Sequence, residues 1–350
     1  MVRFFHSSRE EIFVAVRRVP LVIAGCVLCV LGTLGVVPAE ADPPQIDDSL
    51  GSRLVLGVAH LPPTLALLQI TRELFPEGGP YVPWTYRLPP APIPHTPARG
   101  VCPSGADSCI DDTIAEMETR AAVMKRDCDD NAPLLLSYLH TTKGEREIAR
   151  EQGGFEHPAH VNDWSTSYAH HYFDAIDNYY RYHRPDLVPE SWKQNFRASD
   201  DHSLTVFGNV AAAYNAHITH DLPIVIAEMG VTAPDGSSYK PDHEKINALL
   251  SQAEQGTVEE LAALYGDADP AMRAPYDSEP LTATAFGQTI QIWREYAWRG
   301  GEQLLLAPTP EAARAIEQQI DALSNLLGEV ILRLFARTDP PPHQSHCPAR

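Results

Sequence analysis

The sequence predicts an all-α protein, a single multi-helix domain preceded by a signal peptide and a proline-rich extended segment. Apolar residues recur at helical spacing in seven stretches between Asp111 and Phe335, and no convincing period-two alternation accompanies them. A third observation fixes the N-terminal border of the domain. Nine prolines fall between Pro76 and Pro103, together with Gly78, Gly79 and Gly100, a density that no helix survives.

In chain order, Arg17 and Arg18 precede an apolar run from Val19 to Val37, and Ala39-Glu40-Ala41 is placed for cleavage after Ala41. This pattern predicts a signal peptide over residues 1–41 and a secreted or envelope-associated protein. Pro20, Gly25, Gly32, Gly35 and Pro38 interrupt the run, which argues against stable membrane insertion once the signal is removed. Residues 42–109 form an N-terminal extension. Leu61, Leu65, Leu68 and Leu74 suit one short helix within Leu54 to Phe75, and the proline segment follows.

The helical domain spans 110–337. Asp111 or Asp112 is placed to cap a helix ending near Arg126, and Pro133 opens one ending near Gln152, because an acidic cap and a first-turn proline both suit helix starts. Further periods cover Asn162 to His183, Leu204 to Met229, Asp242 to Gln255, Thr282 to Leu306 and Pro310 to Phe335. Residues 338–350, with Pro340, Pro341 and Pro342, form a flexible tail.

The formal net charge of −19 repels phosphate backbones, so nucleic acid is excluded as a partner; an unknown small molecule or envelope component remains. Beyond the leader the cysteines are Cys102, Cys109, Cys128 and Cys347, an even set suited to disulfides in an oxidising compartment. Three pairings are open. A short loop favours Cys102 with Cys109 and leaves Cys128 for Cys347. No nucleophile elbow, zincin motif, phosphate loop or dinucleotide fingerprint is present, so those enzyme classes lose their best support.

The tract "YNAHITHDLP", Tyr214 to Pro223, carries the chemistry. On a helical wheel His217, Asp221 and Glu228 share a sector with Val206, Val210 and Ile224. Carboxylates on such a face must be neutralised, paired or bound to a cation. A histidine and an aspartate one turn apart suit a divalent metal, zinc first among them. The same pair equally suits a buried hydrogen-bonded network that fixes helix packing. Pro223 removes the amide that would bond to the Thr219 carbonyl, so the helix should be disrupted beside the cluster. Thr205, Asn209, Ala212, Ala216, Thr219, His220 and Ala227 take an arc suited to solvent or close helix contact. In "YAHHYFDAIDNYYRYH", from Tyr168 to His183, His170 and Asp174 repeat the spacing and could complete a site, although a polar half-helix is the usual mark of a wet face. His171 sits at the boundary of the two halves and reads as a packed or capping side chain rather than a ligand. His157 and His160 read as a polar helix lead-in.

Several of these residues resemble the signature of an uncharacterised, mainly actinobacterial family of helical proteins, known only as a domain of unknown function. The N-A-H-I-x-x-D-L form is matched by Asn215, Ala216, His217, Ile218, Asp221 and Leu222. Tyr172, Phe173, Asp174 and Ala175 match a second element, followed by Trp192 and Phe196. Asp242 with Asn247 and Ala297 with Trp298 match later ones. The resemblance covers about residues 110 to 335, implies a helical fold and no reaction, and singles out Asp174, Asn215, His217 and Asp221 together. His170 departs from it, since the family has asparagine there. The H-x-x-x-D spacing before proline is also similar to one element of zinc-dependent phospholipases C, whose other ligand motifs do not follow here in order.

Two functional expectations result. In the first, His217, Asp221, His170 and Glu228 hold a divalent ion, while Asp174 and Asn215 are catalytic groups of a metal-dependent hydrolase. In the second, the chain is a non-catalytic binding or envelope-associated module whose histidines and aspartates form a buried structural network.

Overall fold

The computed structural model describes residues 83–265 and 280–337, all within the second of two compact units, Pro80–Arg350. The signal peptide, the helix expected before Phe75, Cys347 and the proline tail lie outside the described residues.

Helix α1, Asp107–Asp127, begins upstream of the aspartates expected to cap it, with Asp107 in its first turn, and ends where Cys128 takes a left-handed conformation. Helix α2, Ala132–Arg150, opens with Pro133 in its first turn, where the missing amide costs nothing. Its Leu134, Leu135 and Leu136 are buried. Helix α3, Pro158–Ile176, continues into a π turn at Asp177–Arg181. Helix α4, Glu190–Asp200, has no counterpart among the expected helical periods. Its inward face consists chiefly of Trp192 and Phe196, both fully buried.

Next comes one continuous rod: α5, Val206–Tyr214, a π turn at Asn215–Asp221, and α6, Leu222–Met229. Thr205 caps it by accepting from the Gly208 amide at 3.0 Å. The arc expected for solvent or helix contact proves to be buried at Asn209, Ala212, Ala216, Thr219 and His220, so helices surround the rod. Three long helices follow: α7, Lys240–Tyr265, α8, Pro280–Leu306, and α9, Pro310–Leu334. Among the described residues there is no strand, only two isolated bridges. Helix α8 lies along α6, α9 and α4 press on the π turn of the rod, and α2 packs against α1, α3 and α7. The close approach of α8 to α6 requires Gly301, where a Cβ would fall 2.3 Å from Ile226 Cγ2.

The described part of the proline-rich segment runs as an extended strap after a single turn at Thr85–Arg87. Backbone groups lacking a strand partner need others, and here the helices supply them. The Arg99 amide donates to the Glu228 carbonyl at 2.9 Å, and the Ala91 amide to Glu302 Oε1 at 2.7 Å. Thr232 Oγ1 donates to the Ile93 carbonyl at 2.6 Å, and the Cys102 amide to Asp163 Oδ1 at 2.8 Å. Gly100 crosses Asp163 so closely that a Cβ would sit 2.1 Å from Oδ1. The strap ends in the Cys102–Cys109 disulfide, which joins it to α1 as the short loop predicted. Cys128 is also disulfide-bonded.

Candidate functional site

Pro223 determines the local geometry of the signature tract. Its ring crowds the carbonyl four residues back, that of Thr219, and offers no amide to it. The backbone widens into the π turn Asn215–Asp221 and regains α geometry at Leu222, so the expected disruption is an extra residue in the turn. Thr219 Oγ1 donates to the Asn215 carbonyl at 2.7 Å and to its Oδ1 at 2.9 Å. Asn215 Nδ2 donates to the Ser324 carbonyl at 2.8 Å, tying the turn to α9. Such π segments recur at functional positions.

Inside the turn, Asp221 is 2% exposed and His217 3%, so the pair points inward. Asp221 Oδ2 accepts from Trp192 Nε1 at 2.9 Å and faces His217 Nδ1 at 3.0 Å, while Oδ1 faces His220 Nδ1 at 2.8 Å. Burial opposes charge on Asp221, but the bonds from His217 and His220 outweigh it and hold the carboxyl well below the usual range. An ionised Asp221 requires both histidines to donate through Nδ1. Burial pushes His217 below the ordinary histidine value despite Asp221, so its ring is neutral and Nε2 is a bare acceptor. His220 behaves oppositely. Burial opposes its charge, yet bonds to Asp221 and Asp321 raise it to about 9, and its Nε2 reaches Asp321 Oδ1 at 2.8 Å. The imidazolium therefore bridges the π turn and α9.

Aromatic rings enclose His217. Tyr168 stacks on it with centroids 3.6 Å apart and planes 3° apart, Tyr138 meets it edge-on at 4.9 Å, and Tyr172 at 6.2 Å. The Nε2 atom of His217 and the hydroxyls of Tyr138, Tyr168 and Tyr172 are buried without a hydrogen-bond partner. Nearby, burial raises Glu145 to about 7 against its bond from Ser165, whose Oγ lies 2.5 Å from Oε2.

The other expected site residues do not join the pair. His170 and Asp174 are exposed on α3, away from the enclosed His217. Glu228 faces His171 Nε2 at 3.1 Å and is about a third exposed, so the boundary histidine set aside as mere packing is its partner. Asn215 is buried and occupied in fixing the turn. Among the described residues, no group of three or more histidine, cysteine, aspartate or glutamate side chains is arranged to hold a metal ion. Sequence reasoning missed Tyr138 and Tyr168 around the pair, and the resemblance named Trp192 without its bond to Asp221. Tyr168 and Tyr172 do stand one turn apart on the apolar half of α3, the signal that could have found them.

Fold and site together define an all-α protein assembled around a buried histidine–aspartate network. The chain belongs to a family of unknown function, DUF5995, the match running over residues 110–334. No curated protein and no solved structure matches it.

Proposed function

We propose that the chain is an exported, non-catalytic binding or envelope-associated module in which His217, His220 and Asp221 are a structural network rather than a reaction centre. The observation that carries this reading is the crowding of Asp221: three donors occupy its two oxygens in a buried position, leaving the carboxylate little capacity for a metal cation. A network of this kind stabilises one helix arrangement because any slip would strand a buried charge. The export half of the reading rests on the leader pattern in residues 1–41 and is supported by the Cys102–Cys109 disulfide.

The unpartnered Nε2 of His217 favours a second reading, a divalent-metal or hydrolytic site that opens at the π turn. One experiment separates the two. Elemental analysis of protein purified without a histidine tag should find no stoichiometric metal, and His217→Ala should lower stability by about 1–3 kcal/mol, the cost of stranding a buried partner. Near-stoichiometric metal that disappears in His217→Ala would overturn the structural reading in favour of the second.

A further inference from the structure

Away from the His217 network, a serine, a histidine and an aspartate stand in line where the chain enters α3 and α7. Asp242, in the first turn of α7, is 2% exposed. Its Oδ1 accepts from the Glu156 amide at 2.7 Å and its Oδ2 from the His157 amide at 2.8 Å. The same Oδ2 lies 3.2 Å from His157 Nδ1, and His157 Nε2 lies 2.9 Å from Ser237 Oγ. Tyr239 meets the imidazole edge-on, with centroids 4.9 Å apart and planes at 89°, so the ring is held from its side as well as from Nδ1. His157, which in the sequence reads only as part of a polar lead-in, is thereby directed at a hydroxyl.

Ser237 is presented by a tight turn between α6 and α7. The Ala233 amide donates to the Ser237 carbonyl at 2.8 Å, the Gly236 amide donates to the Ala233 carbonyl at 2.9 Å, and Gly236 takes the positive φ of 89° that the turn requires. Ser237 and His157 are both partly exposed, and a Cβ at Gly236 would meet nothing within 4 Å. A reactant therefore reaches the hydroxyl from solvent, with no wall on the Gly236 side to select its acyl group.

A nucleophile within hydrogen-bond reach of a base, the base being oriented in turn by a third group, is the arrangement that activates a serine. With the Nδ1 proton directed at Asp242, the neutral ring offers Nε2 to the Ser237 proton. Asp235 competes for that proton, since its Oδ1 lies 2.6 Å from the same Oγ and also accepts from the Ser237 amide at 2.9 Å. The Asp235 carboxylate opposes the negative charge of a tetrahedral intermediate, and the amides of Gly236 and Ser237 are already spent. Donors aimed at that charge contribute about a hundred- to a thousandfold in rate where they are present. Without them, only an ester with a good leaving group should react, and water should release the acyl group slowly. A negative charge on the ester would be repelled by Asp235 and by the net charge of −19.

We propose that Ser237 is a nucleophile that takes up an acyl group from an uncharged, activated ester, with His157 as its base and Asp242 positioning the ring. Ser237 Oγ forms the bond to the carbonyl carbon and its proton passes to His157 Nε2. The leaving oxygen departs with the electron pair of the broken ester bond and takes that proton. This goes beyond the reading of the chain as a binding module, since a module acylated in this way holds part of its partner covalently.

The test treats the disulfide-intact protein with p-nitrophenyl acetate, follows nitrophenol release and locates the acetyl group by peptide mass mapping. One equivalent should be released per chain, with the acetyl group on Ser237 in preference to Ser238, whose Oγ donates to the Val231 carbonyl at 3.4 Å instead. His157→Gln, which keeps hydrogen-bonding groups but supplies no base, should slow the reaction roughly a hundredfold, and Ser237→Ala should abolish labelling of the turn. Acetylation of Ser238 or of surface lysines as fast as that of Ser237, or a rate unchanged in His157→Gln, would overturn the assignment. If His157→Gln fails to fold, the preference for Ser237 over Ser238 is compared in native and urea-unfolded protein, and a preference that survives unfolding would equally overturn it. Metal content and His217→Ala stability do not involve Ser237, so a failure here leaves the structural reading of the His217 network standing. Release that continues beyond one equivalent and is lost in Ser237→Ala would keep the nucleophile and overturn the non-catalytic reading of the chain.

Discussion

Two buried polar networks hold this molecule together, and they are built differently. Around the π turn, a single carboxylate, Asp221, collects donors from three rings, while His217 Nε2 and nearby tyrosine hydroxyls stay unpartnered. Beneath the strap, Lys240 bonds Glu244, Glu295 at 2.8 Å and the Thr85 carbonyl at 3.3 Å. Arg299 bonds Glu295 and Glu302, each at 2.8 Å, and Glu302 also accepts from Trp298 Nε1 and the Ala91 amide, both at 2.7 Å. Every carboxylate there meets a cation, and the strap is pinned by the same groups. The second network works as a clasp. The first leaves acceptor capacity in the interior, and that difference gives the π turn its functional interest.

The clasp should yield the largest effect. Lys240→Met leaves Glu244 buried without its cation and should cost about 3–5 kcal/mol by urea denaturation, the range for removing one partner of a buried pair. A loss below about 1 kcal/mol would mean that the clasp is wetter than its burial indicates.

The π-turn network should show itself through pH. His220 is raised to about 9 in the folded protein, against about 6.5 unfolded. Its contribution is fully present below about pH 6.5 and is lost as pH rises through 9. Between those limits wild type should lose about 2–3 kcal/mol relative to His220→Gln, a figure reduced because Asp321, its second partner, has a half-exposed side chain. Parallel pH profiles for the two proteins would remove the imidazolium bridge from the account.

Smallest is the outer end of the strap. Trp84 is 39% exposed and donates through Nε1 to Gln288 Oε1 at 3.0 Å. Trp84→Phe should cost no more than about 1 kcal/mol in thermal denaturation, and a loss as large as that of Lys240→Met would show the strap to be held from its tip.

Much of the helical framework was legible because proline and apolar periodicity report on local geometry. Pro133 and Pro310 stand in the first turns of helices as expected, whereas Pro158 and Pro280 open α3 and α8 ahead of the expected starts at Asn162 and Thr282. Helix α4 was not legible, since Trp192 and Phe196 are isolated in an otherwise polar stretch and gain their burial from distant elements, the rod, α9 and the tyrosines of α3 and its π turn. The inward aim of His217 and Asp221 could be read from the wheel, whereas the donors gathered on Asp221 and the bridge from His220 to α9 could not, because Trp192 and Asp321 arrive from distant segments. Periodicity placed His170 and Asp174 on the polar half of α3, where they are indeed exposed. Lys240 and Glu244 form an i, i+4 pair of the sort that usually decorates a wet helix. Only Glu295, Thr85 and the strap turn them into an interior clasp.

The partners of the strap have a further implication. Residues 85 to 99 leave the ribosome before any group that receives them, and those groups extend to Glu302 near the end of α8. Synthesis therefore delivers this stretch early and houses it late. Until α8 has been made and docked, its unpaired amides and carbonyls have only water, or a chaperone, for company.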